Sequence, residues 1–384
     1  MPLPITISSI HSVSALGSSP AAIWQSYLAR HALFNKVKAG NEEEIWCSQL
    51  AADLEPELNA LQQRTAYRNL DRTVLLAILA SKKAFSQREV QKNMGVNIGS
   101  SRGATQLFEK YHKEFLATNR VSAYSSPTTT LGNVSSWVAQ ELGVNGVSID
   151  HSVTCSTGLH AVLNAIAWLK SGMATSFLVG GSEAAITPFT IAQMKSLKLY
   201  STSENLLACE SMRFEKKKNT MVLGEGAAVA LLEQGISERT QAIISGYGFA
   251  SEVLAHNSAI SESADCFQKS MKMALQQANL ETVDAIVMHA PGTVKGDLAE
   301  KQAIEIVFEK LPLLTSNKWL VGHTFAASGM LNMEMAVLML QNNKFIENPF
   351  FANARDLPKE LKTIMVNAVG FGGNAVSIIL QKAH

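Results

Sequence analysis

The sequence predicts an α/β fold built from two sequential halves that share one layered core, and three observations carry that reading. Strand and helix signals alternate along most of the chain. The 384 residues, at roughly 150 per domain, allow about two or three units. No Pro/Ser-rich linker, charge run, short-period repeat or low-complexity tract separates the parts, so the halves divide near residue 235 without a spacer.

The elements follow in chain order. Residues 5–10 read as an opening strand, and 20–29 (PAAIWQSYLA) as a helix with Ser19 as N-cap and Pro20 in its first turn. Residues 70–85 keep helical periodicity without Gly or Pro, with Asp71, Arg72, Lys82 and Lys83 marking the polar side. A short strand at 96–99 runs into SSRG. Residues 143–154 (GVNGVSIDHSVT) combine turn chemistry with a β-rich stretch, and 159–169 form a strong helix. The run SFLVGG at 176–181 is a buried strand stopped by two glycines, and MVLGEGAAVALLE at 221–233 closes the first half. The second half repeats the alternation: strand 242–252, helix 265–278, strand 285–289, helices 299–308 and 329–340, and strands near 364–366 and 375–380.

Composition removes several function classes. Lys and Arg number 33 against 32 Asp and Glu, for a net charge of +1, which argues against a broad basic face for nucleic acid. Hydrophobic residues at 47% and charged residues at 17% supply a core large enough to exclude general disorder. Cys47, Cys155, Cys209 and Cys266 stand far apart with no CxxC spacing, which fits neither a disulfide scaffold nor a zinc cluster and suits a reducing cytosol. The start (MPLPITISSIHSVSALG) lacks a signal peptide's basic and apolar regions. The longest apolar run, VLLAILA at 74–80, is far short of the ~20 residues that span a bilayer. A cytoplasmic protein is expected.

Cys155 stands out among the cysteines, because HSVTCSTGLHA puts it where a strand gives way at once to a helix. A thiol at a helix N-terminus faces free N–H groups and the positive dipole end, and both favour thiolate. His289 (AIVMHAPGTVKGD) and His323 (KWLVGHTFAASG) each follow a strand and precede a small-residue turn. Two imidazoles at strand ends can reach one crevice and donate to one developing oxyanion. No second ligand stands at i+3 or i+4 of either, which weakens a zinc reading. His160, five residues past Cys155, reads as packing, as do His11, His31, His112, His151, His256 and His384. The glycine clusters GEG (224–226), 292–296 and GFGG (370–373) match neither phosphate-binding pattern. GFGG reads as a tight turn presenting the Phe371 N–H and ring to a crevice.

Together these segments resemble the β-ketoacyl-acyl carrier protein synthases of the elongating Cys-His-His type, over nearly the whole chain. HSVTCSTGLHA is similar to the nucleophile segment, HAPGTVKGDLAE to the first histidine loop, KWLVGHTFAASG to the second, and GFGG to the gating turn. The resemblance implies a thiolase-like fold, with two pseudo-symmetric halves (1–235 and 236–384) in a five-layered α-β-α-β-α core. It implies that Cys155 accepts an acyl group from phosphopantetheine of an acyl carrier protein, with the Cys155 and Phe371 N–H groups as oxyanion hole. His289 and His323 would then steady the enolate of a decarboxylating malonyl unit, with Lys318 paired to Glu300 to orient the site.

It further implies Thr293, Gly372 and Gly373 at the substrate arm, with Gly296, Asp297 and Gly322 completing the loops. Arg64, Arg68 and Arg120, with Arg72 beside them, would dock the acidic carrier protein. No metal or redox cofactor is implied, and the expected assembly is a homodimer, or a heterodimer with a chain-length-determining homologue. Departures from the pattern are Pro291 for a threonine, Ala326 for a glycine, and GFGGNAV for GFGGTNA. One lost hydrogen bond to the arm costs roughly 0.5–1.5 kcal/mol.

The rival readings differ in single residues. A chain-length-determining subunit with little activity of its own lacks the nucleophile, whereas Cys155 is present. A thiolase wants a second cysteine near the last glycine turn, and none follows Cys266. A starter-unit synthase has asparagine where His323 stands. A cysteine hydrolase wants an Asn or Asp to orient its histidine. A pure binding module would take up no covalent acyl mass.

Overall fold

The computed structural model describes residues 3–39, 43–86, 88–91, 93–254, 261–354 and 356–383; His256 and His384 lie outside them. The first half runs β1 (Ile5–Ser14), α1 (Pro20–Ala29), β2 (Asn35–Ala39), β3 (Glu43–Ser48), α2 (Glu55–Gln63), α3 (Arg72–Ala84), β4 (Met94–Gly99) and α4 (Thr105–Thr118). It continues with α5 (Ser125–Thr129), α6 (Val134–Leu142), β5 (Ser148–Ile149), α7 (Thr157–Lys170), β6 (Ser176–Glu183), α8 (Pro188–Ser196), β7 (Leu223–Gly224) and β8 (Gly226–Gln234). The second half runs β9 (Ala242–Ser251), α9 (Asp265–Ala278), β10 (Ala285–Val287), α10 (Val294–Val307) and β11 (Leu313–Thr315). It ends with α11 (Lys318–Val321), α12 (Ser328–Asn342), β12 (Thr363–Gly370) and β13 (Asn374–Lys382).

Ten strands form one sheet in the order β11-β10-β12-β13-β9-β1-β8-β6-β4-β5. From either end toward the middle, two parallel ladders are followed by two antiparallel ones, so each half repeats the other's pattern. The halves meet at a three-pair ladder between β1 and β9, Ile5 opposite Ile244. Helices α7 and α12 lie between the half-sheets: α7 touches β4, β6 and β13, and α12 touches β1, β8, β12 and β13. Helix α3 covers the outer face of the first half-sheet and α9 that of the second, which gives the five layers. A helix buried between two sheets needs apolar residues on every side. Helix α12 meets that demand, being buried from Ser328 to Leu340.

Local chemistry sets the helix ends. Ser19 Oγ accepts from Ala22 N at 3.2 Å, so α1 starts where its cap and Pro20 predict. Asp71 is a buried cap and not part of a polar face: Oδ1 accepts from Thr73 N at 2.9 Å and Oδ2 from Leu107 N at 3.0 Å, joining the starts of α3 and α4. Thr293 caps α10, which begins at 294 and not at the expected 299, because its Oγ1 accepts from Gly296 N. Among the described residues no helix is long and apolar enough to cross a membrane.

Candidate active site

Three chain segments far apart in sequence converge at one crevice. Cys155 does not sit on the helix cap as expected. It lies in a 3-10 turn, Thr154–Ser156, with Ser156 as N-cap of α7. Gly370, at the end of β12, presses on that turn so closely that a Cβ there would stand 2.0 Å from Thr154 Oγ1 and 2.5 Å from Val153 O. Gly158, in the first turn of α7, meets the loop after His323, where a Cβ would stand 2.7 Å from Ala326 O. Only glycine permits both approaches, so these two positions join the nucleophile turn to the β12 hairpin and to the second histidine loop.

His289 follows β10, and its backbone is fixed by carboxylates. Glu300 accepts from His289 N and Ala290 N, both at 2.9 Å, and from Asn367 Nδ2 at 3.2 Å. Asp297 Oδ1 accepts from Gly292 N and Thr293 N. Its Oδ2 accepts from Met212 N and, at 2.7 Å, from Lys216 Nζ. Lys216 and Asp297 are thus a buried ion pair beneath the loop. The His323 backbone is held by the glycine-rich strand segment: its N–H donates to Val222 O at 2.7 Å, and its carbonyl accepts from Gly224 N at 3.0 Å.

Three non-glycine residues beside these side chains take positive φ: Thr154 at 49°, Ala290 at 25° and Phe325 at 44°. Such conformations cost roughly 1–3 kcal/mol each and persist only where surrounding packing fixes them.

The rings of His289 and His323 meet edge to face with centroids 5.3 Å apart, and Phe325 lies 5.0 Å beyond His323. Both imidazoles, Cys155, Pro291, Thr293, Gly296, Phe325 and Phe371 line one cavity of about 210 Å³, whose remaining wall includes Met194, Leu199 and Met221. Phe371 is 38% exposed whereas the nucleophile and both histidines are buried, so its side chain stands toward the open side. Gly372 and Gly373 lie in the turn behind it, off the cavity lining; Gly373 N donates to Gly370 O at 3.1 Å. His160 Nδ1 contacts Ser156 O, and His151 is held by Asn97 and Thr157 O, so both serve packing.

Two electrostatic expectations change. Lys318 is fully buried, but its Nζ has no hydrogen-bond partner among the described residues. Glu300 turns its oxygens to backbone amides and Asn367, and acts on Lys318 only through its charge. Burial lowers the Lys318 ammonium to about 8. Burial first, then the Lys318 charge, hold both imidazoles well below their usual range, so they are neutral at pH 7.

The second change concerns the thiol. Burial, helped by nearby Glu183, pushes Cys155 up to about 12, against the opposing charges of Lys318 and Arg102. Desolvation in a closed crevice outweighs the helix end, whose free amides begin after Cys155. Alkylation by iodoacetamide should therefore be slow at pH 7 and should climb with pH beyond 9; a plateau below pH 8 would restore a dipole-stabilised thiolate.

Sequence reasoning passed over Glu183, Lys216 and Asn367. Glu183 is buried and accepts from Ser100 Oγ, Ser101 N, Arg102 N and Ala326 N, which binds the end of β6 to the loop after His323. A charged residue closing an apolar strand run, SFLVGGSE, was its available signal. The expected docking arginines stand apart from the cavity lining. Arg64 pairs with Glu141 at 2.8 Å and lies over the Tyr67 ring. Arg72 is tied to Glu225 and Glu55 and is therefore internal structure. Arg68 and Arg120 are exposed.

Comparison with known proteins gives a consistent set. The family model for the beta-ketoacyl synthase N-terminal domain matches residues 4–236, and that for the C-terminal domain matches 241–350. The 3-oxoacyl-[acyl-carrier-protein] synthase 2 of Coxiella burnetii is 27% identical over 98% of each chain. A chain in the structure of a type II PKS acyl-carrier protein in complex with its ketosynthase superposes with TM-score 0.85 at 19% identity, covering both chains in full. A chain in the complex of a ketosynthase with its chain length factor from Xenorhabdus doucetiae gives TM-score 0.82 at 22% identity, covering 99% of this chain and 98% of that one.

Proposed function

The chain belongs to the beta-ketoacyl synthase family, and from that premise we propose that it catalyses decarboxylative condensation of a Cys155-bound acyl chain with a malonyl unit on acyl carrier protein. The observation that carries the proposal is the single cavity shared by Cys155, His289 and His323. The pathway is fatty-acid or specialised polyene or polyketide synthesis.

In the first half-reaction the Cys155 sulfur forms a bond to the thioester carbon and the pantetheine sulfur leaves. The thiol proton passes to that sulfur, for which a neutral imidazole is a suitable relay. The Cys155 and Phe371 amides serve as the oxyanion donors. In the second half-reaction the malonyl C–CO₂ bond breaks, and its electron pair becomes an enolate. Two neutral imidazoles on one side of the cavity donate to that oxygen, with the unpaired Lys318 ammonium adding positive potential. The carbanion carbon bonds to the acyl carbon and the Cys155 thiolate leaves. No resident metal or redox group is required by this electron count.

Removing one oxyanion donor typically costs about 10²–10³-fold. His289→Ala and His323→Ala should each lower condensation by that order while acyl loading of Cys155, followed by intact mass, falls far less. Equal loss in both steps would remove the division of labour. The apolar side chains that α4 leaves exposed, Phe108, Phe115 and Leu116, suit a chain paired with a second subunit, whether a copy of itself or a chain-length-determining homologue.

A further inference from the structure

The catalytic cavity is small, and one of its wall residues is strained. Its volume of about 210 Å³ falls below the roughly 300–1,000 Å³ common for small-molecule sites. A longer acyl chain therefore enters only if a wall side chain yields. Among the lining residues Phe325 combines a positive φ of 44° with a buried ring, which meets the His323 ring at 5.0 Å. Cys155, Ile191, Met194, Leu223 and Phe325 belong to one apolar cluster. A yielding Phe325 would leave an alkyl chain among apolar neighbours except at one point.

That point is Arg102. Its guanidinium carbon lies 5.9 Å from the centre of the Phe325 ring, off the cavity lining. Nη2 donates to the Gln193 amide oxygen, whereas Nε is buried and has no partner among the described residues. The Arg102 charge also reaches the Cys155 thiol, where it opposes the upward shift. The backbone fixes this position. Glu183 accepts from Ser101 N at 2.8 Å, Arg102 N at 3.2 Å and Ala326 N at 3.3 Å, so one buried carboxylate ties the Arg102 turn to the Phe325 loop. Gly103, at φ 70°, closes the turn by donating to Ser100 Oγ at 2.9 Å. Gln193 directly precedes the wall residue Met194 on α8. A cation with a spare donor thus stands one ring behind an apolar wall.

We propose that Arg102 determines which acyl chains Cys155 accepts. Chains that displace Phe325 are favoured when their far end carries an acceptor oxygen, such as a ketone, and disfavoured when that end is plain alkyl. The proposal rests on the ketosynthase reading for the acyl class of the substrate. A buried donor left unpaired is costly, and an acceptor brought to it removes that cost. A site that hydrogen-bonds one group of its substrate rejects the analogue lacking it far more strongly than an apolar pocket can.

The test is kcat/KM for acylation of Cys155, followed by intact mass, with three chains on acyl carrier protein: butanoyl, octanoyl, and octanoyl with a ketone beside its terminal methyl. Arg102→Leu also removes a charge near the sulfur, so butanoyl serves in each protein as the reference for the thiol itself. Relative to it, the parent should load the keto chain at least tenfold better than octanoyl. Arg102→Leu should reverse that preference, and Gln193→Leu, which frees a second guanidinium donor, should widen it. Equal values for the two long chains in the parent, or a preference unchanged in either variant, would overturn the proposal. An equal loss for all three chains in Arg102→Leu would do so too, reducing Arg102 to a support for the Phe325 loop. Melting temperatures show that each variant folds. The same chains as unreactive pantetheine amides, titrated onto Cys155→Ala, read the preference without chemistry. A parent acylated by none of the three would sink the ketosynthase reading, while the titration still decides the role of Arg102.

Discussion

Replacing Cys155 by alanine should abolish covalent acylation and the condensed product while leaving decarboxylation of the malonyl substrate measurable. Acyl transfer needs a sulfur to carry the chain between two carrier-bound substrates, and Cys155 is the one cysteine among those lining the cavity. Cys47, Cys209 and Cys266 are buried elsewhere. Burial raises each, Cys47 to about 11 and the other two to about 12, and outweighs the opposing charges of Lys195 at Cys47 and Lys216 at Cys209. Loss of a covalent nucleophile removes on the order of 10⁴-fold or more of the rate.

Decarboxylation, by contrast, asks only that the enolate oxygen find donors, and His289 and His323 remain in place. Intact mass after incubation with acyl carrier protein reads the first effect, and release of CO₂ from malonyl carrier reads the second. A variant that still gains acyl mass would place the nucleophile elsewhere. One that loses CO₂ release as well would mean that the thiol takes part in enolate formation.

How much of this was legible in the sequence depends on whether a feature is local. Helix α1 could be bounded because Ser19 and Pro20 act within one turn. Helix α9 could be bounded because its buried residues, Cys266, Phe267, Ser270, Met271, Ala274 and Leu275, repeat at helical spacing. Strand β5 is two residues long and pairs only through Ser148 and Ile149, so the β-rich stretch expected there shrinks to a two-pair ladder with β4. The small sheet β2-β3-β7 escaped notice because β7 contributes two residues and meets β3 across a long separation.

The site divides in the same way. Cys155, His289 and His323 were visible because each is set among small residues at an element's end. The charges around them were not, since pairing depends on which groups fold close together. Glu300 stands near Lys318 in charge, yet backbone amides ten and eleven residues upstream take its oxygens. Asp297 finds its cation at Lys216, on the opposite side of the division between the halves.

That buried pair predicts the largest loss of stability. Asp297→Ala should destabilise the protein by about 3–5 kcal/mol, because it leaves the Lys216 ammonium buried without a counter-charge. The amides of Met212, Gly292 and Thr293 would also lose their acceptor. At roughly 2.1 cal/mol/K per residue of unfolding entropy, a chain this size should lose about 4–6 °C in melting temperature. The double variant Lys216→Met, Asp297→Asn removes both charges and keeps one acceptor for the loop, so it should recover at least half of that loss.

Activity should divide from stability in the double variant. The His289 loop would keep its bonds from Gly292 and Thr293 to the remaining oxygen but lose its ties to Met212 and Lys216, so condensation should fall while acyl loading of Cys155 remains. Thermal denaturation of the three proteins, with loading and condensation assayed well below the transition, measures both. If Asp297→Ala melts within about 1 °C of the parent, the pair does not fix the loop, and His289 must be held by Glu300 alone.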